Sequence, residues 1–510
     1  MSANLYAAFR QRFPKNLEKP FIVTQDGTAI SYSDIERQSS QFANLLISLG
    51  IRPGDRVAAQ VEKSPAVLIL YLGCLRVGAT YLPLNTAYTG EELEYLVSDA
   101  TPRLVVCDPA CQEDAAERAT RYGAGHCLTL DANGRGSLTD HASTKDDTFE
   151  TIESAPDDLA AILYSSGTTG KPKGAMLSHG ALAANAMALH AAWRFGPDDV
   201  LLHALPIFHT HGLFVATNTV LMNGTAMIFH SRFDPSAVIK DLSSATVFMG
   251  VPTYYTRLLG ETALSVDACQ SVRLFISGSA PLLDETFQTF ATRTGHTIVE
   301  RYGMTEAGII TSASPEKPRK AGTVGWPLDG VTLRIASDSN TPVAAGQTGG
   351  VQIKGSSLFS GYWNNPGKTA EEITSDGFFR TGDIGYHEDD GQITLVGRAK
   401  DMYISGGFNV FPKEIEQIVD SIDGVAESAI IGLPHPDFGE AGMAIVVAEE
   451  GESIDSESIR ATLKATVANY KVPKLVVLAG DLPRNAMGKV QKNILRDTYR
   501  SRWDDHVVAG

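Results

Sequence analysis

The chain has 510 residues, 43% of them hydrophobic and 20% charged, the composition of a globular enzyme too long for one compact core, so a large and a small domain are expected. A net charge of −16 excludes the basic excess that nucleic-acid or anionic-lipid binding needs, and anionic substrates would have to enter locally positive pockets. Five cysteines, with no recurring CxxC pair, exclude a disulfide framework and a zinc site and fit a reducing compartment.

The first residues lack the apolar stretch of a secretory signal, and two arginines ahead of the first acid give only a faint mitochondrial character. A cytoplasmic location is expected rather than the mitochondrial matrix. Ser33-Asp34-Ile35-Glu36 reads as a capping box opening a helix with Ile35, Phe42, Leu45, Leu46 and Leu49 on its apolar side, closed by Gly50. Pro53-Gly54 turns the chain into a strand over 57–61, and Ser64-Pro65 opens the next helix with proline at its first position. The apolar run from Ala66 to Leu75 is about half of the roughly 20 residues a bilayer span needs, so it predicts a buried helix and no membrane span.

Further strands are predicted over 104–108, 159–164, 199–204, 225–230, 246–251, 273–277 and 297–301, with a charged surface excursion over 131–153. Such alternation predicts an α/β fold with helices on the faces of its sheets. After Gly397 the pattern changes to short strands (427–432, 443–449) and amphipathic helices (412–421, 455–468). A large domain over 1–397, a hinge at 398–401 and a small α+β domain over 402–510 are therefore expected.

The segment from Tyr164 to Gly174 follows an apolar strand and holds three glycines, four hydroxyls and two lysines. Glycines let backbone N–H groups approach phosphate oxygens, hydroxyls donate further hydrogen bonds, and lysines offset charge. Ser165, Ser166, Gly167, Thr168, Thr169, Gly170 and Lys173 thus read as a polyphosphate cradle. It is not a Walker A loop, because GxxxxGK[ST] cannot be fitted to it.

This loop resembles the phosphate loop of the acyl-adenylate-forming superfamily, which includes acyl-CoA synthetases, peptide-synthetase adenylation domains and luciferases. Further segments resemble the family in the same order. Gly278, Ser279 and Ala280 precede Glu300-Arg301-Tyr302-Gly303-Met304-Thr305-Glu306, which in the family lines the nucleotide and acyl pockets. The resemblance implies ATP and CoA as co-substrates, with Thr168 and Glu306 on Mg²⁺; hard oxygen donors suit that ion. Asp383 resembles the ribose ligand and Arg398 a second contact to ribose or phosphate. Lys400 falls where the family's backbone swivels, and Ser405, Gly406 and Gly407 resemble the loop lining the pantetheine tunnel. Lys489, after Gly488, resembles the lysine that drives adenylation. Family behaviour implies one active site per chain, between the two domains.

The resemblance implies an AMP-forming carboxylic acid:CoA ligase. Runs from His203 to Leu213, Gly250 to Thr253 and Asp481 to Asn493 are most similar to malonyl-CoA synthetases, with methylmalonate or another short- or medium-chain acid as the alternative substrate. His209 resembles the family's gate beside the nucleotide. A second carboxylate needs a buried cation, for which Arg232 is the candidate, with His203 and Met304 shaping the pocket. A peptide-synthetase module is disfavoured because 21 residues (510 − 489) follow Lys489, too few for a carrier domain. A luciferase would need a luciferin, and a silent nucleotide-binding regulator would be expected to lack Lys489 or Glu306. The exposed basic context of Lys489 also makes it a candidate target of a lysine acetyltransferase and deacetylase.

Overall fold

The computed structural model describes residues 3–165, 172–406, 408–436, 438–484 and 489–509. By compactness the chain forms two units, the first made of Met1–Thr332 and Lys354–Ile373, the second of Leu333–Ile353 and Thr374–Gly510.

The first unit holds a nine-stranded and a six-stranded sheet. In the nine-stranded sheet Val200–His203, Val247–Gly250, Leu274–Ser277 and Val299–Met304 run parallel, and their strands alternate with helices along the chain. Parallel strands need crossovers that cover the sheet faces, and the near-continuous apolar strands fit burial on both sides. The six-stranded sheet ends in a hairpin of Leu159–Ser165 with Lys173–Ser178. The predicted buried helix is Pro65–Val77, every residue from Val67 onward being buried. Among the described residues no helix is long and apolar enough to cross a membrane.

The helix expected from Ser33 starts two residues earlier. It spans Tyr32–Ser48, capped by Ser31, whose side chain accepts from the Asp34 amide while the Asp34 carboxylate accepts from the Ser31 amide. Ser33 and Glu36 offer the same spacing, but a start at Ser31 also carries Tyr32 into the core at 0% exposure. The excursion over 131–153 is not wholly irregular, since Ser137–Ser143 is helical with Leu138 and Ala142 buried.

The second unit combines a four-stranded sheet, including Gly349–Gly355, Phe379–His387 and Ile393–Arg398, with a sheet of Tyr403–Ser405, Phe408–Val410, Val425–His435, Gly439–Ala448 and Leu475–Ala479. The expected limit at Gly397 does not coincide with this division. Phe379–His387 and Ile393–Arg398 form an antiparallel hairpin, and Lys413, on the helix Pro412–Asp420, donates to the carbonyl of Leu395 at 3.3 Å. Compactness therefore assigns 374–397 to the second unit.

Candidate active site

In open sheets of this type ligands bind in the crevice outside the carboxyl ends of the parallel strands. His203 and Ser277 stand at two such ends, and Glu300 pairs in register with Ser277 on the neighbouring strand. His203, Ser277 and Glu300 thus belong to parallel strands of the nine-stranded sheet.

Ser165 and Lys173 face each other across the base of the expected phosphate loop, as antiparallel partners. Ser166, Gly167, Thr168, Thr169 and Gly170, between them, lie outside the described residues, as does Gly407. Glu306 comes to this base from the turn after Val299–Met304. Its carboxylate is 6% exposed and accepts from the Ser165 hydroxyl at 3.4 Å and the Tyr362 hydroxyl at 3.0 Å. The turn is held by Gly308, at φ 63°, where a Cβ would meet the Asn185 amide oxygen at 2.5 Å. Lys173 places its Nζ 5.1 Å from the centre of the Tyr362 ring.

A second cluster surrounds Arg301. Its guanidinium is buried, has no carboxylate partner among the described residues, and is pushed down to about 9 by burial. Its Nη2 donates to Ser279 Oγ at 3.4 Å, while its Nε is buried without a partner among the described residues. Ser279 lies 3.3 Å from His211 Nδ1 and adopts φ 76°, a left-handed backbone costly for serine. One hydrogen bond joins Ser279 Oγ and His211 Nδ1, its direction set by the histidine tautomer, and it does not engage His211 Nε2. That nitrogen also lacks a partner, and burial, with Arg301 and His209 beside it, holds the imidazole neutral, well below its ordinary value. The hydroxyls of Ser277 and Thr210 are buried and unpartnered among the described residues as well. Buried polar groups are ordinarily satisfied, so this group of donors is set for an oxygen-rich ligand.

His203 is buried behind this cluster. Its Nε2 donates to the carbonyl of Gly212 at 2.9 Å, so Nδ1 is the acceptor and takes a hydrogen bond from Lys63 Nζ at 2.9 Å. Lys63 also donates to the His203 carbonyl at 2.9 Å and lies 4.3 Å from the Phe229 ring centre. Burial depresses Lys63 well below the usual lysine range. His203 therefore braces the π-helical turn His211–Thr217 rather than presenting a free nitrogen.

The remaining expected residues of the first unit divide. Tyr302 and Gly278 are buried, Met304 and Thr305 half-buried, and Ala280 exposed. His209 is half-buried, with Nδ1 accepting from the His211 amide at 3.3 Å. Glu300 is buried, and its carboxylate accepts from the Gly322 amide at 3.3 Å. Arg232 is exposed, before the helix Pro235–Asp241 that Asp234 caps. The desolvation argument that selected it applies instead to Arg301.

In the second unit Asp383 and Arg398 are register partners on adjacent strands, with Arg398 Nε 2.9 Å from the buried Asp383 carboxylate. Lys400 is exposed. Ser405 is buried and Gly406 turns the chain at φ 59°. Lys489 is exposed, immediately before the helix-leading segment at Val490.

Residues 9–363 match the AMP-binding enzyme family and residues 414–489 its C-terminal domain. The chain belongs to the AMP-binding enzyme family. As such it has the acyl-adenylate-forming fold, with a large N-terminal and a small C-terminal domain. ATP-bound MatB from Rhodopseudomonas palustris superposes with a TM-score of 0.96 at 49% identity, over 98% of this chain and 99% of that one. Among curated relatives, a feruloyl-CoA synthase of Amycolatopsis sp is 34% identical over 94% of this chain and 95% of its own length. The malonate–CoA ligase of Arabidopsis thaliana is 32% identical over 98% of this chain and 90% of its own. The chain is an AMP-forming acid–CoA ligase, and relatives acting on such different acids leave its own acid to the pocket.

Three residues of this AMP-binding enzyme escaped the sequence reading. Tyr362 lies 56 residues from Glu306 and Lys63 lies 140 from His203, so no local spacing announces either contact. His211 was within reach, two positions after His209 in the same segment.

Proposed function

We propose that the chain joins malonate to CoA through a malonyl-adenylate. The observation that carries this reading is the buried donor cluster of Arg301, His211 and Ser279. A guanidinium without a carboxylate partner among the described residues, with its own Nε and the neighbouring His211 Nε2 both unpartnered there, suits a carboxylate in addition to the one that reacts. Burying that anion unpaired would be costly, whereas pairing it here satisfies both sides. Likeness to the malonate–CoA ligase of Arabidopsis thaliana supports the same choice.

In the first half-reaction a carboxylate oxygen attacks the α-phosphorus of MgATP, a P–O bond forms, and the bond to pyrophosphate breaks. Ser165, Lys173 and the adjoining loop hold the polyphosphate. Glu306, with Ser165 and Tyr362 beside it, would hold magnesium through hard oxygen donors, and the ion would supply positive charge to offset that of the polyphosphate. Asp383 accepts the ribose hydroxyls and Arg398 orients Asp383. His209 closes the nucleotide side of the acyl pocket. Lys489 directs its ammonium at the charge growing on the phosphate oxygens, a contribution on the order of 3 kcal/mol by analogy with single oxyanion donors. The CoA thiol, led past Ser405 and Gly406, then attacks the carbonyl carbon and AMP leaves. Rotation about Lys400 exchanges the two sets of groups.

The test is CoA-dependent AMP release with malonate, methylmalonate, succinate, acetate, propionate, octanoate and ferulate. Malonate at least tenfold ahead in kcat/KM supports the reading. Preference for octanoate or ferulate removes malonate, and absence of pyrophosphate exchange into ATP with every acid removes the adenylation chemistry.

A further inference from the structure

Lys489 is exposed and lies on a short connection, so its presentation for the proposed adenylation role depends on how that connection is anchored. Preorganisation requires that its backbone be fixed. The chain leaves the sheet after Ala479, passes Leu482, which is 1% exposed, and returns through Gln491 into the helix Lys492–Ala509. The amide of Gln491 donates to the carbonyl of Pro483 at 2.8 Å, and Arg484 bridges Val490 in antiparallel fashion. The segment bearing Lys489 is thereby closed at its neck.

Two ion pairs fasten that neck to two different elements. Arg484 pairs with Glu427 on the strand Val425–His435. Lys492 pairs with Glu416 on the helix Pro412–Asp420 at 2.6 Å, both side chains being 16% exposed. Glu416 is itself fixed, its Oε1 accepting from the Ile430 amide at 2.7 Å. Fully exposed ion pairs contribute little to stability. These two are part-buried, share no residue, and stand on either side of Lys489.

We propose that Glu416 and Glu427 are positioning residues for adenylation, clamping Lys492 and Arg484 so that Lys489 is presented in one orientation. The inference rests on Lys489 being the adenylation lysine. It assigns to the clamp a part in the first half-reaction only, since the thiol step uses a different loop of the second unit.

Glu416→Gln keeps an acceptor for Ile430 and removes the charge, and Lys492→Met removes the other partner. Both are expected to slow acid-dependent pyrophosphate exchange into ATP by roughly 10- to 100-fold, the size of a displacement of about 1 Å at a catalytic group. Thioester formation from pre-formed acyl-adenylate and CoA should stay within about twofold, and the exchanged pair Glu416→Lys with Lys492→Glu should recover at least part of the exchange rate. Equal losses in both half-reactions, or an unchanged exchange rate in both single variants, overturn the clamp. If a single variant does not fold, Glu427→Gln and the exchanged pair decide on the same two readouts. Lys489→Ala separates the two ideas. Loss of exchange there with none in the clamp variants rejects the clamp alone, whereas full exchange in Lys489→Ala rejects the underlying role of the lysine.

Discussion

Tyr362 donates its hydroxyl to Glu306 Oε1 at 3.0 Å, while its ring lies 5.1 Å from Lys173 Nζ. One side chain thus joins the acid proposed for magnesium to a lysine of the polyphosphate cradle. Tyr362→Phe keeps the ring under Lys173 and removes the hydroxyl, so Glu306 loses one of its orienting donors. A hydrogen bond to a charged group is worth about 1.5–3 kcal/mol, so KM for MgATP should rise roughly tenfold with a smaller change in kcat. Glu306→Gln should instead depress pyrophosphate exchange by about 100-fold or more. Equal, small effects of both would separate Tyr362 from the nucleotide.

Arg301 and Arg232 make opposite predictions for acid preference. Removing a charged partner from a buried pair typically costs about 3–5 kcal/mol, so Arg301→Met should lower kcat/KM for malonate by at least about 100-fold. Monocarboxylates of similar size should lose far less, because they bring no second anion. Arg232→Ala, at an exposed position, should leave the malonate-to-acetate ratio within about twofold. A selective loss of malonate in Arg232→Ala alone would transfer the role to that residue. Substrate preference must be read from the ratio, since Arg301 also supports Ser279 and a general loss would report packing.

The separation between these arginines shows what the sequence makes legible. Motif order singles out the expected phosphate loop, the Glu300–Glu306 segment and Asp383 as candidates, because glycine, hydroxyl and acid patterns are local. The strand predicted over 297–301 runs Val299–Met304 instead, since antiparallel pairing with Gly308–Ser312 carries it through Gly303 and Met304. Which arginine is buried depends on contacts far along the chain, so neither composition nor spacing distinguishes Arg301 from Arg232. Tyr362, Lys63 and the Ser31 cap were missed for related reasons. The first two meet their partners only after folding, and at the cap two equivalent boxes compete until burial of Tyr32 decides.

Buried histidines should make the first unit acid-labile. His179 is pushed down to about 4 by burial, its Nδ1 accepting from the Leu5 amide at 3.0 Å, and His203 and His211 are held well below the ordinary range. Unfolded histidines titrate near 6.5, so below that value the unfolded chain binds more protons and stability falls as pH drops. Each such histidine contributes a slope of up to about 1.4 kcal/mol per pH unit until its folded value is reached. Melting temperature should therefore decline from pH 6.5 toward pH 4.5, and His179→Gln should flatten part of that decline. A decline of the same steepness in the variant would place the acid lability elsewhere.

Asp420 makes the reverse prediction in the second unit. Burial raises its carboxyl to about 7, the charges of Glu416 and Glu427 adding to the effect while Ser428 opposes it. Its Oδ1 has no partner among the described residues. An unfolded aspartate ionises near 3.9, so between that value and about 7 the unfolded chain has released the proton that the folded chain retains. The stabilising contribution is complete below the unfolded value and is lost as pH rises through the folded one. Asp420→Asn cannot ionise, and it should match the parent near pH 4 and exceed it at pH 8 by up to roughly 4 kcal/mol, several degrees in Tm. The advantage should grow between those limits and level off above about pH 7. An advantage equal at both pH values would mean that shape rather than charge is responsible, and a variant less stable at pH 8 would mean that the ionised carboxylate is satisfied by groups other than Ser428.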